Sequence, residues 1–342
     1  MKAVIFEKHG APEVLEYADM ADPVIKANEV LVEVRACALN HLDVWARKGL
    51  PGIEIPLPHI LGNDIAGVVR EAGELVTWVN AGDEVMLQPG TSCGHCIECL
   101  RGQDNLCPEY DILGYRRDGG YAQLVAAPGV NVIPKPKNLS FEEAAALPLV
   151  TVTAWHMLVT RAQVQPGEEV LIHAAGSGVG SIGIQVAKLR GARVIATAGS
   201  DEKLLKAREL GADETVNYTN KDWPKEVKKL TDRQGVDVVF EHTGAETWPG
   251  SLAALKKSGR VVTCGATSGY DARTDLRQLF YRHLSLLGSF MGSKAELLDA
   301  MKFIERGQIR AVIDQTLPLY EARRAHELME DRAQFGKLVL VP

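Results

Sequence analysis

Two rhythms of apolar and polar positions divide the chain. Up to about residue 148, short apolar runs at 30–39, 67–71, 83–87 and 122–126 are punctuated by Gly-Asp, Pro-Gly and Gly-Gly pairs. Such spacing predicts strands joined by tight turns and a compact, partly barrel-like β domain. Beyond Pro148, apolar runs at 169–175, 193–198, 214–218, 237–243, 260–265 and 284–289 alternate with charged stretches of helical period, among them 179–190 and 201–210. That alternation predicts βαβ units around a parallel sheet. The 201–210 helix carries its own boundary marks: Ser200 suits the N-cap, Asp201 and Glu202 complement the positive end of the dipole, and Gly211 suits the C-terminal cap. Six strands and their crossovers fill a doubly wound domain over 150–291. Residues 292–342 are too few for a third domain and are expected to pack back on the first, which then comprises 1–149 and 292–342. The fold class predicted is α/β, a β-rich domain plus a doubly wound parallel sheet.

Length agrees with this division, because 342 residues exceed the roughly 100–200 of one ordinary core. A hydrophobic content of 46% with 24% charge excludes a disordered chain. The 38 basic and 44 acidic residues leave a net charge of -6, so no electrostatic footprint for nucleic acid is present. Charges at Lys2, Glu7 and Lys8 interrupt the start where a signal peptide needs apolar residues, and no run nears the roughly 20 apolar residues of a membrane span. These features predict a cytoplasmic protein with a small-molecule partner, without nucleic-acid or membrane partners.

Six cysteines are too few and too unevenly placed for a disulfide framework. Four of them, Cys93, Cys96, Cys99 and Cys107, form C-x2-C-x2-C-x7-C within a lobe at about 90–110. Four thiolates can close a tetrahedron on one zinc at about 2.3 Å per sulfur and leave no open position, which predicts one structural zinc per chain. A reducing compartment disfavours disulfides there. His95 lies inside the lobe and reads as a solvated residue.

Between the 169–175 strand and the next helix runs Ala175-Gly176-Ser177-Gly178-Val179-Gly180. Small residues let the backbone approach a pyrophosphate, and the helix N-terminus supplies unpaired N–H groups. The literal G-x-G-x-x-G match is Gly178, Gly180 and Gly183, but it starts the helix late; Ala175, Ser177 and Gly180 place the turn at the strand end. An NAD-specific protein puts an acid at the tip of the second strand to accept from the ribose hydroxyl. Here the tip reads Ala196-Thr197-Ala198-Gly199-Ser200, and Ser200, Lys203 and Tyr218 offer donors and one positive charge. NADP(H) is therefore favoured over NAD(H), while Asp201 and Glu202 keep NAD(H) open. Lys203 also suits a solvated helix position, and Tyr218 a half-buried strand.

These features together resemble the zinc-containing alcohol dehydrogenase superfamily, the medium-chain dehydrogenases/reductases, over essentially the whole chain. The most specific pieces are the cysteine lobe, Gly62-Asn63-Asp64-Ile65-Ala66-Gly67, the Ala175 to Gly180 fingerprint and Gly336-Lys337. The resemblance implies a GroES-like catalytic domain, a Rossmann cofactor domain, a nucleotide cleft between them, and a homodimer or homotetramer in which strand 284–290 pairs across a twofold. It implies too that His41 approaches the pyrophosphate, and that Thr153, Thr243, Gly244, Gly265, Ala266, Phe290 and Lys337 line the nucleotide site. Strand-end and packing roles are the alternatives for each.

The departures from the pattern carry the functional expectation. By that resemblance the catalytic zinc would take a Cys where this chain has Asn40, a His where it has Asn63, and a Cys near 148–155, where none occurs; Asp64 replaces a Glu. Amides are poor zinc ligands beside thiolate or imidazole. Cys37, at an odd offset from Asn40, reads as a buried small hydrophobe, and His59 as a core or turn residue. Asn40, Asp43 and the run Ala-Leu-Asn-x-x-Asp look like the quinone oxidoreductase and enone reductase branch, although Trp45 stands where that branch often has Tyr. Losing a Lewis acid hurts reduction of an isolated carbonyl most, because full charge develops on its oxygen. Hydride addition to an enone or quinone gives a delocalised anion, for which a few donors of roughly 3 kcal/mol each suffice. The reading is an NAD(P)H-dependent enone or quinone reductase. Asn40 and Asn63 would orient the substrate oxygen or its water, and Asp43 and Asp64 would hold side chains or the cofactor ribose; turn-stabilising roles stand beside these. An alcohol dehydrogenase with an atypical or absent catalytic metal, and a nucleotide-binding protein without turnover, are the alternatives.

Overall fold

Alternation along the strand Glu29–Ala38 sets the first core: Val30, Val32, Val34 and Ala36 are buried, whereas Glu33 is half-buried and Arg35 exposed. In this computed structural model, which describes residues 1–50, 52–220 and 222–342, that strand lies inside a seven-stranded sheet. The sheet order is Val132–Pro134, Glu84–Leu87, Asp64–Ala72, Glu29–Ala38, Lys337–Val341 and Ile313–Pro318, with Leu124–Pro128 also pairing on Glu29–Ala38. The strand expected at 67–71 is longer, Asp64–Ala72, so that Asp64 opens it. Gly67 is needed where that strand crosses Glu29–Ala38, because a Cβ there would sit 2.1 Å from the Glu33 carbonyl oxygen. Lys337–Val341 pairs antiparallel with the end of Glu29–Ala38, Val339 opposite Ala38, which carries Lys337 toward the start of the helix His41–Lys48.

The first unit comprises Met1–Val150, Ser293–Glu305 and Arg310–Pro342, and the second Thr151–Gly292 with Arg306–Ile309. In the second, six parallel strands run in the order Glu214–Asn217, Arg193–Ala198, Glu169–Ile172, Val236–Glu241, Leu255–Thr263 and Ser285–Gly288. This is the doubly wound order, with its reversal between Glu169–Ile172 and Val236–Glu241. Covered on both faces, the central strands carry unbroken apolar runs: Val170, Leu171, Ile172, Val238, Val239 and Phe240 are all fully buried. Each such side chain contributes about 1.5–3 kcal/mol by leaving water. Ser200 caps the helix Asp201–Glu209 by accepting from Lys203 N at 3.4 Å, and Gly211 follows at φ 109°.

Strand ends differ from the expected ones for visible reasons. The 169–175 strand stops at Ile172, since His173 turns its ring into a buried polar cluster and Ala174 takes φ 44°. The 237–243 strand stops at Glu241 for the same cluster. Among the described residues, no helix is long and apolar enough to cross a membrane.

Candidate functional site

Cys93, Cys96, Cys99 and Cys107 come together on the lobe, with Cys96 capping the one-turn helix Ile97–Leu100 and Cys107 ending a second turn. Their sulfurs lie within 4.8 Å of one another, at 3.9 Å for Cys93–Cys99 and 3.5 Å for both Cys96–Cys99 and Cys93–Cys107. A zinc at the centre of a tetrahedron with 2.3 Å bonds needs edges of about 3.8 Å, so the set fits zinc and is far from disulfide length. N–H groups of Cys96, Glu109 and Cys93 point at these sulfurs at 3.3–3.5 Å, which suits thiolates. His95 and Glu109 also approach Cys93 but are exposed, and His95 Nδ1 lies 2.8 Å from the Cys93 carbonyl oxygen. Buried Asp104 anchors the lobe by accepting from Lys294 N at 2.9 Å.

In the second unit the proposed cofactor residues share one edge. Ala175 to Gly180 follow Ile172, Ser200 and Lys203 follow Ala198, Tyr218 follows Asn217, Thr243 and Gly244 follow Glu241, Gly265 and Ala266 follow Thr263, and Phe290 follows Gly288. Each set thus stands just past the carboxyl end of its strand, where open α/β sheets take ligands. Thr153 is the exception, buried within the helix Pro148–Trp155. The helix after the first strand is Gly178–Leu189, capped by Ser177, whose Oγ accepts from Gly180 N at 2.8 Å. Gly178 and Val179 therefore hold first-turn N–H groups with no intrahelical acceptor, the arrangement that receives phosphate. A Cβ on Gly180 would lie 2.4 Å from the Ala174 carbonyl oxygen, so glycine is required there, as the register Ala175, Ser177, Gly180 supposes. Buried Thr243 Oγ1 has no partner among the described residues, which leaves a polar atom for a ligand to satisfy.

Behind that edge lies a polar cluster that the sequence did not announce. Glu241, fully buried, accepts from Thr243 N (2.7 Å), Gly244 N (3.2 Å), Thr247 Oγ1 (2.9 Å) and Ser251 Oγ (2.6 Å). Ser251 also meets His173 Nε2 at 2.9 Å, and His173 Nδ1 meets Thr197 at 3.0 Å. Burial holds the His173 pKa below its usual value, so its 3.8 Å approach to Glu241 joins a neutral ring to a carboxylate.

The first unit brings all four proposed catalytic residues into a second cluster. Asn40 caps His41–Lys48, and Asp43 accepts from Asn40 N at 2.7 Å and from Gly62 N at 3.0 Å. Asp43 thereby holds backbone rather than side chains, and burial pushes its carboxyl up to about 7 against the help of those N–H groups. Asp64 accepts from Leu149 N (2.8 Å), Asn40 Nδ2 (2.8 Å) and Lys337 Nζ (2.9 Å). Lys337 Nζ also donates to Asn40 Oδ1 at 2.6 Å. Asn63 donates Nδ2 to the Leu113 carbonyl at 2.7 Å, which leaves a buried Oδ1 without a partner among the described residues. It can accept from a water or hydroxyl but cannot stabilise an oxyanion. His41 is half-buried, its ring edge-on to Trp45.

Around Asp43 stands a buried chain of donors. Arg47, whose guanidinium can only donate, lies 3.2 Å from His326 Nδ1, so His326 carries its proton on Nε2 and gives it to Tyr121 Oη at 3.2 Å; burial and the nearby Asp43 charge push the Tyr121 hydroxyl well up. Cys37 is fully buried, and His59 is buried against Phe6 with Nδ1 3.5 Å from Asp118. Among the described residues, groups of three or more metal-ligating side chains converge only in the cysteine lobe.

Residues 26–137 match the alcohol dehydrogenase GroES-like domain, and residues 178–306 the zinc-binding dehydrogenase family. The chain belongs to the zinc-type alcohol dehydrogenase superfamily of medium-chain dehydrogenases/reductases. Membership makes it an NAD(P)-dependent oxidoreductase with a GroES-like and a Rossmann-like part. It is 31% identical to the NAD-dependent alcohol dehydrogenase of Sulfurisphaera tokodaii over 100% of both chains. It is 32% identical to quinone oxidoreductase 1 of Escherichia coli, covering 98% of each. A solved structure described as an NAD-dependent alcohol dehydrogenase shares 53% identity, covers 100% of both chains and superposes with a TM-score of 0.98. Within this superfamily member, sequence reasoning did not single out Tyr121, His326, Arg47 and Glu241, nor the contact that Lys337 makes with the acid–amide cluster. The partners of Tyr121, His326, Arg47 and Lys337 lie 205 to 297 positions away, beyond the reach of any local motif, whereas the donors to Glu241 follow it within 10 positions.

Proposed function

We propose that this oxidoreductase reduces the C=C bond of small enones, or quinones, with NADPH and without a catalytic zinc. The observation that supports this reading most is the Lys337 ammonium seated on Asn40 and Asp64. A metal ion there would face a fixed positive charge, an Asn40 carbonyl already bonded, and an Asp64 carboxylate with three donors on it. Asn63 offers a single amide oxygen. Such a set does not fit zinc, which takes thiolate and imidazole far more readily. The cysteine lobe does fit it, and zinc there would tie the two turns together as a structural ion. When bound, reduced nicotinamide would supply the hydride for the β-carbon of an enone, and water the proton for its α-carbon. The chain contributes orientation and donors, which a delocalised anion needs less of than an alkoxide does.

NADPH is the favoured cofactor because the second strand ends in Gly199-Ser200 beside Tyr218, and the nearby acids are engaged elsewhere. Asn217 Nδ2 donates to Asp201 at 3.4 Å, and Lys206 pairs with Glu202 at 2.9 Å. The names of several relatives favour NAD instead, so kcat/KM for the two cofactors measured side by side decides. Strand Ser285–Gly288 is an edge of its sheet and leaves Leu286 exposed, with Phe290 60% exposed just beyond it. Such an edge calls for cover, which supports a homodimer or homotetramer.

Metal content and turnover test the reading together. Protein purified without added zinc should hold one zinc per chain and oxidise NADPH with cyclohexenone or a naphthoquinone. Two zincs per chain, with alcohol oxidation dominant, would favour the alcohol dehydrogenase reading that the relatives' names carry.

A further inference from the structure

The Asn40 cluster has more N–H donors than its own acceptors take up. Asp64 accepts three donors: one carboxylate oxygen takes Leu149 N, and the other takes Asn40 Nδ2 and Lys337 Nζ. Lys337 has three N–H donors and two of them are placed, on Asp64 and on Asn40 Oδ1. Asn40 has two N–H donors and one is placed. Asn40 is 7% exposed and Lys337 3%, so the amide is the member nearer to anything that arrives from outside. An ammonium on an amide oxygen draws electrons from the amide nitrogen and strengthens its remaining N–H as a donor, and buried chains of this kind reinforce one another. Asn63, next to Asp64 in the chain, keeps a buried Oδ1 without a partner among the described residues, an acceptor suited to a water or hydroxyl and not to the oxyanion itself. Stability alone is a poor reason for the arrangement, since well-packed apolar residues commonly serve as well as a buried ion pair.

We propose that Lys337 takes over the electrostatic task of a catalytic metal by acting through Asn40: it polarises the amide, whose remaining N–H receives the negative charge that develops on the substrate oxygen. Lys337 is then a positioning residue and Asn40 the group that touches substrate. No covalent bond to the protein forms, and Lys337 keeps its protons throughout. The inference rests on the reductase reading for its substrate, though the same charge would serve an alkoxide.

The test compares wild type with Lys337→Met, Lys337→Arg and the double variant Asp64→Asn/Lys337→Met, all zinc-loaded. In Lys337→Met the Asn40 donor stays but loses its polarising charge, so kcat for cyclohexenone should fall more than about 10-fold and at most the roughly 100-fold that loss of a whole oxyanion donor costs. For a naphthoquinone, whose product anion is already delocalised over two rings, the fall should stay below about 10-fold, and Lys337→Arg should retain most of the rate. NADPH affinity by fluorescence titration should change less than about 3-fold, and the double variant should recover thermal stability without recovering the enone rate. Equal losses on both substrates that track stability would overturn the proposal, as would weakened NADPH binding with kcat kept, which returns Lys337 to the cofactor. A readout independent of turnover uses para-nitrophenolate as an oxyanion probe, followed by its absorbance. Wild type should bind it and Lys337→Met should not; equal binding, or none by wild type, refutes the role. A wild type that binds the probe but reduces neither an enone nor a quinone overturns the reductase reading alone.

Discussion

Replacing Glu241 separates acceptor geometry from charge in the cofactor unit. Glu241→Ala removes the acceptor for four donors, but they are not equally stranded. Thr247 Oγ1 can turn to the Gly244 carbonyl at 3.3 Å, and Ser251 Oγ to the Thr247 carbonyl at 3.0 Å. The N–H groups of Thr243 and Gly244 have no such alternative among the described residues and would be left buried without an acceptor. At about 1–3 kcal/mol for each orphan, the loss centres near 4 kcal/mol before any cavity is counted. Glu241→Gln keeps one oxygen for both N–H groups and offers its amide to the two hydroxyls, which can accept once their own protons turn to carbonyls; its cost should stay near 1 kcal/mol. At about 2–4 °C per kcal/mol for a unit of this size, Ala should lower the transition by roughly 8–16 °C and Gln by less than about 5 °C. Differential scanning calorimetry without cofactor reads this directly. Equal shifts for the two variants would refute the reasoning, because they would mean that the negative charge beside His173 matters and the acceptor geometry does not.

Three further outcomes follow from the geometry. Cys99→Ser should lower zinc from one per chain toward none by metal analysis and reduce thermal stability, since the remaining three sulfurs cannot close the tetrahedron; retained stoichiometry would count against the lobe as the zinc site. The Asp43 carboxyl is raised from 3.8 to about 7, so between these values the folded chain keeps a proton that the unfolded chain has lost, and stability falls as pH rises through that window. Asp43→Asn lacks this slope, so its stability relative to wild type should improve between about pH 4 and pH 8, by up to roughly 4 kcal/mol at 1.4 per unit; parallel urea-denaturation curves at both pH values would contradict it. Leu286→Lys places a charge on the exposed edge strand and should shift the protein to a smaller species in size-exclusion chromatography, whereas an unchanged elution volume would remove that edge from the interface.

Chemistry written within a short stretch of chain was legible before any coordinates. The cysteine lobe spans 15 residues, and its spacing alone states the tetrahedron that the sulfurs form. The Ser200 cap and Gly211 terminate their helix where local backbone preferences say they should. Strand ends were less legible, because His173 and Ala174 continue an apolar run while the backbone has already left the sheet. Least legible was the acid–amide cluster. Asn40 and Asp64 stood out only as replacements for metal ligands, and nothing near Lys337 says that its ammonium meets them, 297 and 273 positions away. Arg47, His326 and Tyr121 are likewise unremarkable until folding joins them across 279 and 205 positions.

The pairing of Lys337–Val341 with Glu29–Ala38 has a bearing on how this protein is made. A ribosome releases Asn40 and Asp64 early, then the whole cofactor unit, and only afterwards the strand that carries their cation. The nascent first unit must therefore wait without the last two strands at one end of its sheet and without the cation for Asp64, while the parallel-sheet unit already has all six strands. Ribosome-stalled chains should accordingly acquire protease resistance in the cofactor unit before the site that awaits Lys337 can close.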